Sequence, residues 1–143
     1  MIGIIISGHG NFATGIASSL KLVSGGPLNV EYVDFLETDS TKNLKEKYKI
    51  ALNNLKDCND VLALTDLAGG SPFKTLVELS TEVTKQINVI AGTNLPMALE
   101  ITMLKDIIDD LPSLVNSALE AGKNGVVKFE LAEKEEELFE DGI

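Results

Sequence analysis

Three scarcities limit what this chain can be before any motif is read. It has one cysteine, Cys58, one histidine, His9, and 12 lysine and arginine residues against 22 aspartate and glutamate. A single thiol cannot build a disulfide framework and suits a reducing compartment. Set between a helical run and a strand-like one, Cys58 reads as a packing residue. One histidine and one cysteine cannot make a structural zinc site either. The shortage of positive charge leaves a net charge of −10. Such a surface repels nucleic-acid phosphates and anionic membranes and steers basic partners toward it. Aromatics are 5% of the chain, and Phe12, Phe35 and Phe73 fall at helix or strand positions, as core residues rather than a base-stacking platform. Long apolar runs are missing as well. The N-terminal one stops at Ile6, too short for a secretory segment or a membrane span. A cytoplasmic protein without membrane insertion is expected.

What is present is an alternation of strand and helix patterns. At 143 residues, 44% of them hydrophobic, the chain fits one domain with a core of its own. Residues 2–6 form a β-branched run, broken by Ser7-Gly8-His9-Gly10. Asn11 then offers a cap for a helix through Ser24, ended by Gly25-Gly26-Pro27. Residues 29–35 read as a second strand, and Asp39-Ser40-Thr41 caps a helix through Leu55. Residues 61–65 form the third strand, 66–71 a glycine-rich loop, and Pro72 the first turn of another helix. Residues 87–91 form the fourth strand; Pro96 and Pro112 open two further helices. Residues 126–131 read as a last short strand. Strands joined through helices are parallel, and right-handed crossovers give a doubly wound, flavodoxin-like α/β sheet. The expected domain spans residues 1–131, followed by an acidic tail over 132–143, where seven of the nine residues from Glu133 to Asp141 are charged.

In such sheets ligands bind beyond the carboxyl ends of the strands. His9, Asp66, Ser71, Thr93 and Asn94 all fall there, and two chemistries compete for the first loop. Gly8-His9-Gly10-Asn11-Phe12-Ala13 matches the G-x-G-x-x-[G/A] dinucleotide fingerprint, with Asp34 at the end of the second strand as the ribose-binding acid. The other reading makes His9 itself the reactive group. Imidazole has an ordinary pKa near 6.5, so much of it is a neutral nucleophile at pH 7. Glycines on both sides leave it open, and backbone N–H groups at helix starts (Gly10 and Asn11, Gly70 and Ser71) hold phosphate oxygens well. Asp66 either orients the second ring nitrogen or acts only as a turn former. Ser71 either ligates phosphate or caps the Pro72 helix, and Thr93 and Asn94 shape their loop or touch the site. No G-x-x-x-x-G-K-[ST] phosphate loop and no G-x-S-x-G elbow is present.

Three stretches together resemble a known family. Ile4-Ile5-Ile6-Ser7-Gly8-His9-Gly10, residues 65–73 (Thr-Asp-Leu-Ala-Gly-Gly-Ser-Pro-Phe) and residues 90–97 (Ile-Ala-Gly-Thr-Asn-Leu-Pro-Met) are similar to the enzyme IIA domain of the mannose family of the bacterial phosphoenolpyruvate-dependent sugar phosphotransferase system. The likeness runs over about residues 1–130 and extends to Gly122-Lys123-Asn124-Gly125-Val126. It implies that His9 takes a phosphoryl group on Nε2 from the phosphocarrier HPr and passes it to an enzyme IIB, with no cofactor, neither metal nor nucleotide. Asp66 then bonds the other ring nitrogen and Ser71 lies near the phosphoryl group. It also implies a homodimer whose last strand, here residues 126–131, crosses antiparallel onto the partner's sheet. Membrane components IIC and IID would be linked by function only. Leu67 and Ala68 depart from the threonine and tryptophan of better-known members. The short tail points to a stand-alone IIA with IIB on another chain. The phosphotransferase subunit of a dihydroxyacetone kinase has a similar fold and N-terminal histidine; the Gly-Gly-Ser-Pro-Phe and Asn-Leu-Pro-Met segments favour the sugar system.

Overall fold

The computed structural model describes residues 1–131, so the acidic tail expected over 132–143 lies outside the described residues. Four strands, β1 (Ile2–His9), β2 (Val30–Phe35), β3 (Asp60–Thr65) and β4 (Gln86–Ile90), form one sheet in the order β2-β1-β3-β4, every pair parallel. Between and after them come α1 (Phe12–Ser24), α2 (Thr41–Asn54), α3 (Ser71–Ser80), α4 (Leu95–Leu104) and α5 (Leu111–Asn124). This is the doubly wound arrangement expected from the alternation.

The alternating pleat sorts the strand residues into two cores. Ile4, Ile6, Leu62 and Leu64 face α1, α4 and α5, where Leu20, Met97, Ile101 and Leu114 are buried against them. Ile5, Val61 and Ala63 face α2 and α3, with Leu44, Tyr48, Leu76 and Leu79. Cys58 lies in this second core, 2% exposed, as a packing residue. The punctuation of the helices is largely local. Ser40 and Asn43 form a reciprocal capping box on α2, Asn94 caps α4 through the Met97 amide, and Asp110 caps α5 through Ser113.

The start of α1 differs from expectation. Asn11 makes no side-chain cap. A carboxylate from the neighbouring strand replaces it: Asp34 accepts the Thr14 amide at 3.0 Å and the Thr14 hydroxyl at 2.7 Å. Residues 126–131 also differ, for they are not part of a strand in the described structure, whose sheet holds β1 to β4 alone. Val126, Val127, Phe129 and Leu131 stand 53–83% exposed there.

Strand order reverses between β1 and β3, the central pair, with β2 outside the one and β4 outside the other. The end of β1 carries His9 and the residue just after β3 is Asp66, so both residues sit at the switch point where doubly wound sheets bind ligands.

Candidate active site

His9 ends β1 with its side chain 43% exposed, and Asp66 lies beside it at 14%. Asp66 Oδ2 accepts the His9 backbone amide at 2.9 Å and meets His9 Nδ1 at 2.8 Å; Oδ1 accepts the Leu67 amide at 2.8 Å. Burial pushes the Asp66 carboxyl up, but the His9 amide, the His9 ring and the Leu67 amide more than offset it, leaving its pKa below the ordinary carboxylate value. An ionised carboxylate only accepts hydrogen bonds, so Nδ1 carries the ring proton and Nε2 keeps its lone pair.

The free edge of the ring turns toward α3. A β-carbon on Gly70 would stand 2.8 Å from His9 Cε1 and 3.5 Å from Nε2, so only glycine lets the imidazole lie against this turn. Gly70, not Ser71, is the residue preceding the helix, and no side chain caps α3. Ser71 is therefore the first helical residue, its hydroxyl not used as the cap. Lys74 is the first amide to bond back, to Gly70 O. Helix geometry leaves the Ser71 and Phe73 amides without intrahelical partners, and Pro72 has no N–H. His9 Nε2 thus lies beside an uncapped helix start whose dipole favours negative charge.

The other helix start near His9 is already occupied, because Asp34 holds its negative charge on Thr14 in the first turn of α1. The same contact leaves the acid of the dinucleotide fingerprint engaged in capping. Gly8 also has a different purpose from the one that fingerprint assigns. A β-carbon there would stand 2.5 Å from Phe12 Cδ1, so the glycine admits the Phe12 ring. Gly8→Ala is expected to destabilise the fold by about 1–3 kcal/mol through overpacking, read as a lower urea midpoint at unchanged m-value. A midpoint equal to wild type would mean that the Phe12 ring yields freely.

Phe35, a core residue by sequence, proves to be part of the site. Its ring meets the His9 ring edge-on, centroids 5.9 Å apart and planes at 73°, and its carbonyl accepts the Gly10 amide at 2.8 Å. The corner after β2 is pinned by Lys47, which donates to Asp34 O at 3.1 Å and Asp39 Oδ2 at 2.6 Å. Asp39 is held below the ordinary carboxylate pKa by Lys47 first and by the Leu36 amide next. No sequence signal marked Phe35, since its contact with His9 follows from strand pairing.

Asn94 is committed to structure, capping α4 and donating to Gly122 O at 2.9 Å. Thr93 is buried beside β3, its amide on Thr65 O. Among the described residues no group of three or more histidine, cysteine, aspartate or glutamate side chains is placed to hold a metal ion, and no helix is long and apolar enough to cross a membrane.

The family model described as "PTS system fructose IIA component" matches residues 3–119. The chain belongs to this EIIA-man family. The fructose-specific EIIA component of Bacillus subtilis is 30% identical over 141 residues, covering 94% of this chain and 96% of that protein. The mannose-specific EIIAB component of Escherichia coli is 34% identical over 125 residues, 87% of this chain but 38% of the relative's length. Among solved structures, the phosphotransferase system component EIIA of Streptococcus agalactiae superposes with a TM-score of 0.82 at 34% identity, covering 90% of this chain and 97% of that one. The resemblance carried by the three sequence stretches is thus met at the level of family and fold.

For an EIIA protein the Asp66 carboxylate should also mark the acid limb of stability. Its folded pKa is depressed, so its stabilising contribution is complete above the unfolded value near 3.9 and fades as pH falls through the lower folded one. Wild type and Asp66→Asn should differ in urea stability at about pH 6, and the gap should narrow as the pH falls below the ordinary carboxylate range. A gap that stays constant as the carboxylate titrates would mean that the charge on Asp66 does not stabilise the fold.

Proposed function

We propose that this EIIA chain is a phosphoryl carrier that accepts the group from phospho-HPr on His9 Nε2 and hands it to an enzyme IIB during sugar uptake. The observation that carries this is the His9–Asp66 pair, which fixes the proton on Nδ1 and aims the other ring edge at the uncapped start of α3. The Nε2 lone pair attacks phosphorus as the bond to the donor's imidazole nitrogen breaks, and that bonding pair returns to the donor ring. No proton need move. The new phosphohistidine keeps its Nδ1–H and becomes a cationic ring, which the Asp66 carboxylate stabilises at 2.8 Å. The Ser71 and Phe73 amides and the Ser71 hydroxyl receive the phosphoryl oxygens. Gly10 and Asn11 border this seat from the α1 side, where Asp34 already supplies negative charge. Positioning and aimed donors supply the catalysis.

The chain acts in the cytoplasm as a homodimer, with a functional link to membrane components IIC and IID. What supports dimerisation is the exposure of Val127 and Leu131 in a segment of alternating apolar and charged residues, together with β4, which has one neighbouring strand among the described residues. A strand of that pattern exchanged onto β4 of the partner would cover both surfaces.

Incubation with labelled phosphoenolpyruvate, enzyme I and HPr tests the carrier role. One phosphate per chain is expected, labile to acid, stable to alkali, and dependent on HPr. Absence of label with all three components present would refute it.

A further inference from the structure

Ser7 and Tyr48 are polar residues in a place where an apolar pair would pack as well. Both are fully buried, in the core between the sheet and α2 and α3. Ser7 lies on β1 two residues before His9. Its hydroxyl donates to Val33 O at 2.7 Å and shares a 2.7 Å hydrogen bond with the Tyr48 hydroxyl. Tyr48 rises from α2 and also donates to Pro72 O at 3.3 Å. Pro72 follows Ser71 in the first turn of α3. Burial pushes the Tyr48 phenol well above its ordinary pKa, so it stays protonated and able to donate. With Ser7's proton on Val33, the Tyr48 proton is shared between Ser7 Oγ and the Pro72 carbonyl. The hydroxyls therefore tie together β1, β2 and the start of α3. These are the elements that hold His9, its neighbour Phe35 and the uncapped amides.

The spacing they control is tight, because the His9 ring already fills the space a β-carbon on Gly70 would need. Reacting groups must be held to within about 0.5 Å for efficient transfer, and a buried network with its partners satisfied is a rigid means of doing so. A Phe at position 48 would fill the same volume. Ser7 would keep Val33 as acceptor, and Pro72 O would keep its helical partner. The hydroxyl is thus dispensable for packing and matters for register.

We propose that Tyr48, through Ser7 and Pro72, is a positioning residue that sets His9 Nε2 against the first turn of α3. This rests on the phosphoryl-carrier role for its kinetic consequence but not for its geometric one. Tyr48 is out of reach of any docked partner, so its effect belongs in kcat and not in KM.

The test compares wild type with Tyr48→Phe. Steady-state transfer from phospho-HPr gives kcat and KM, and NMR follows the His9 Hε1 proton, which sits over Gly70, in the unphosphorylated proteins. The expected result is a kcat lower by about tenfold at unchanged KM for phospho-HPr, with Hε1 displaced and α5 resonances unmoved. A kcat within twofold of wild type, or an Hε1 resonance that does not move, would overturn the positioning role. If wild type takes no label at all, the carrier role fails instead. Hε1 then decides alone, its displacement supporting the strut and its constancy refuting it.

Discussion

His9→Ala is expected to take up no phosphate from phosphoenolpyruvate, enzyme I and HPr, while folding like wild type. The loss should be complete because the chain has no second histidine to receive the group. Nothing in the packing opposes the substitution. The ring is 43% exposed, and its removal leaves Asp66 with two backbone donors, the His9 and Leu67 amides. A stability change within about 1 kcal/mol follows from so exposed a site. Acid-labile label remaining in this variant, with a native melting curve, would place the phosphoryl group on another residue and remove the proposed mechanism.

Asp66→Asn should slow phosphoryl transfer by about 100-fold, by the same logic that makes a carboxylate beside a catalytic imidazole matter more than its hydrogen bond. Two effects act in one direction. The amide can turn its NH2 toward Nδ1, which moves the ring proton to Nε2 and blocks the nucleophile. Where it instead presents its oxygen, it lacks the charge that offsets the cationic phosphohistidine. The single amide oxygen accepts one of the two backbone donors, the His9 or the Leu67 amide, and the NH2 faces the other, in line with the stability loss expected near neutral pH. Transfer kinetics by rapid quench, with the ring tautomer read from 15N shifts, provide the check. A transfer rate within twofold of wild type would take Asp66 out of the mechanism.

The readable part of this protein was local. β-Branched runs of five or six residues, proline at helix starts and the serine, asparagine and aspartate caps depend on neighbours in the chain, and the four parallel strands and most helix ends followed from them. His9 and Asp66 were legible for a related reason. Each lies where a strand pattern breaks into glycine, and in a doubly wound sheet those breaks gather at one edge. Asn11 was misread because capping by sequence assumes that the nearest polar side chain serves the helix. Here Asp34, 20 residues from Thr14, reaches the same donors from an adjacent strand. Gly8 was open to misreading in the same way, as its need for a bare Cα comes from Phe12 packing across it.

Residues 126–131 show the opposite limit. Their alternating pattern is that of a half-buried strand, yet the described sheet ends at β2 and β4 without them. Sequence periodicity reports what a segment can become; the neighbour that completes it is a property of the fold or of a second copy.

By itself the sequence determined the α/β class, the parallel sheet, the family, and that His9 and Asp66 share one edge of the sheet. Those depend on periodicity, on turn chemistry and on residue types that only certain reactions use. The tertiary structure alone decided which ring nitrogen of His9 is free, which of two helix starts is open to an anion, that Phe35 lies against the imidazole, and that Tyr48 reaches the first turn of α3. Each of these is set by distances between segments far apart in the chain. Such distances come from packing two cores against a twisted sheet, and no local pattern encodes them.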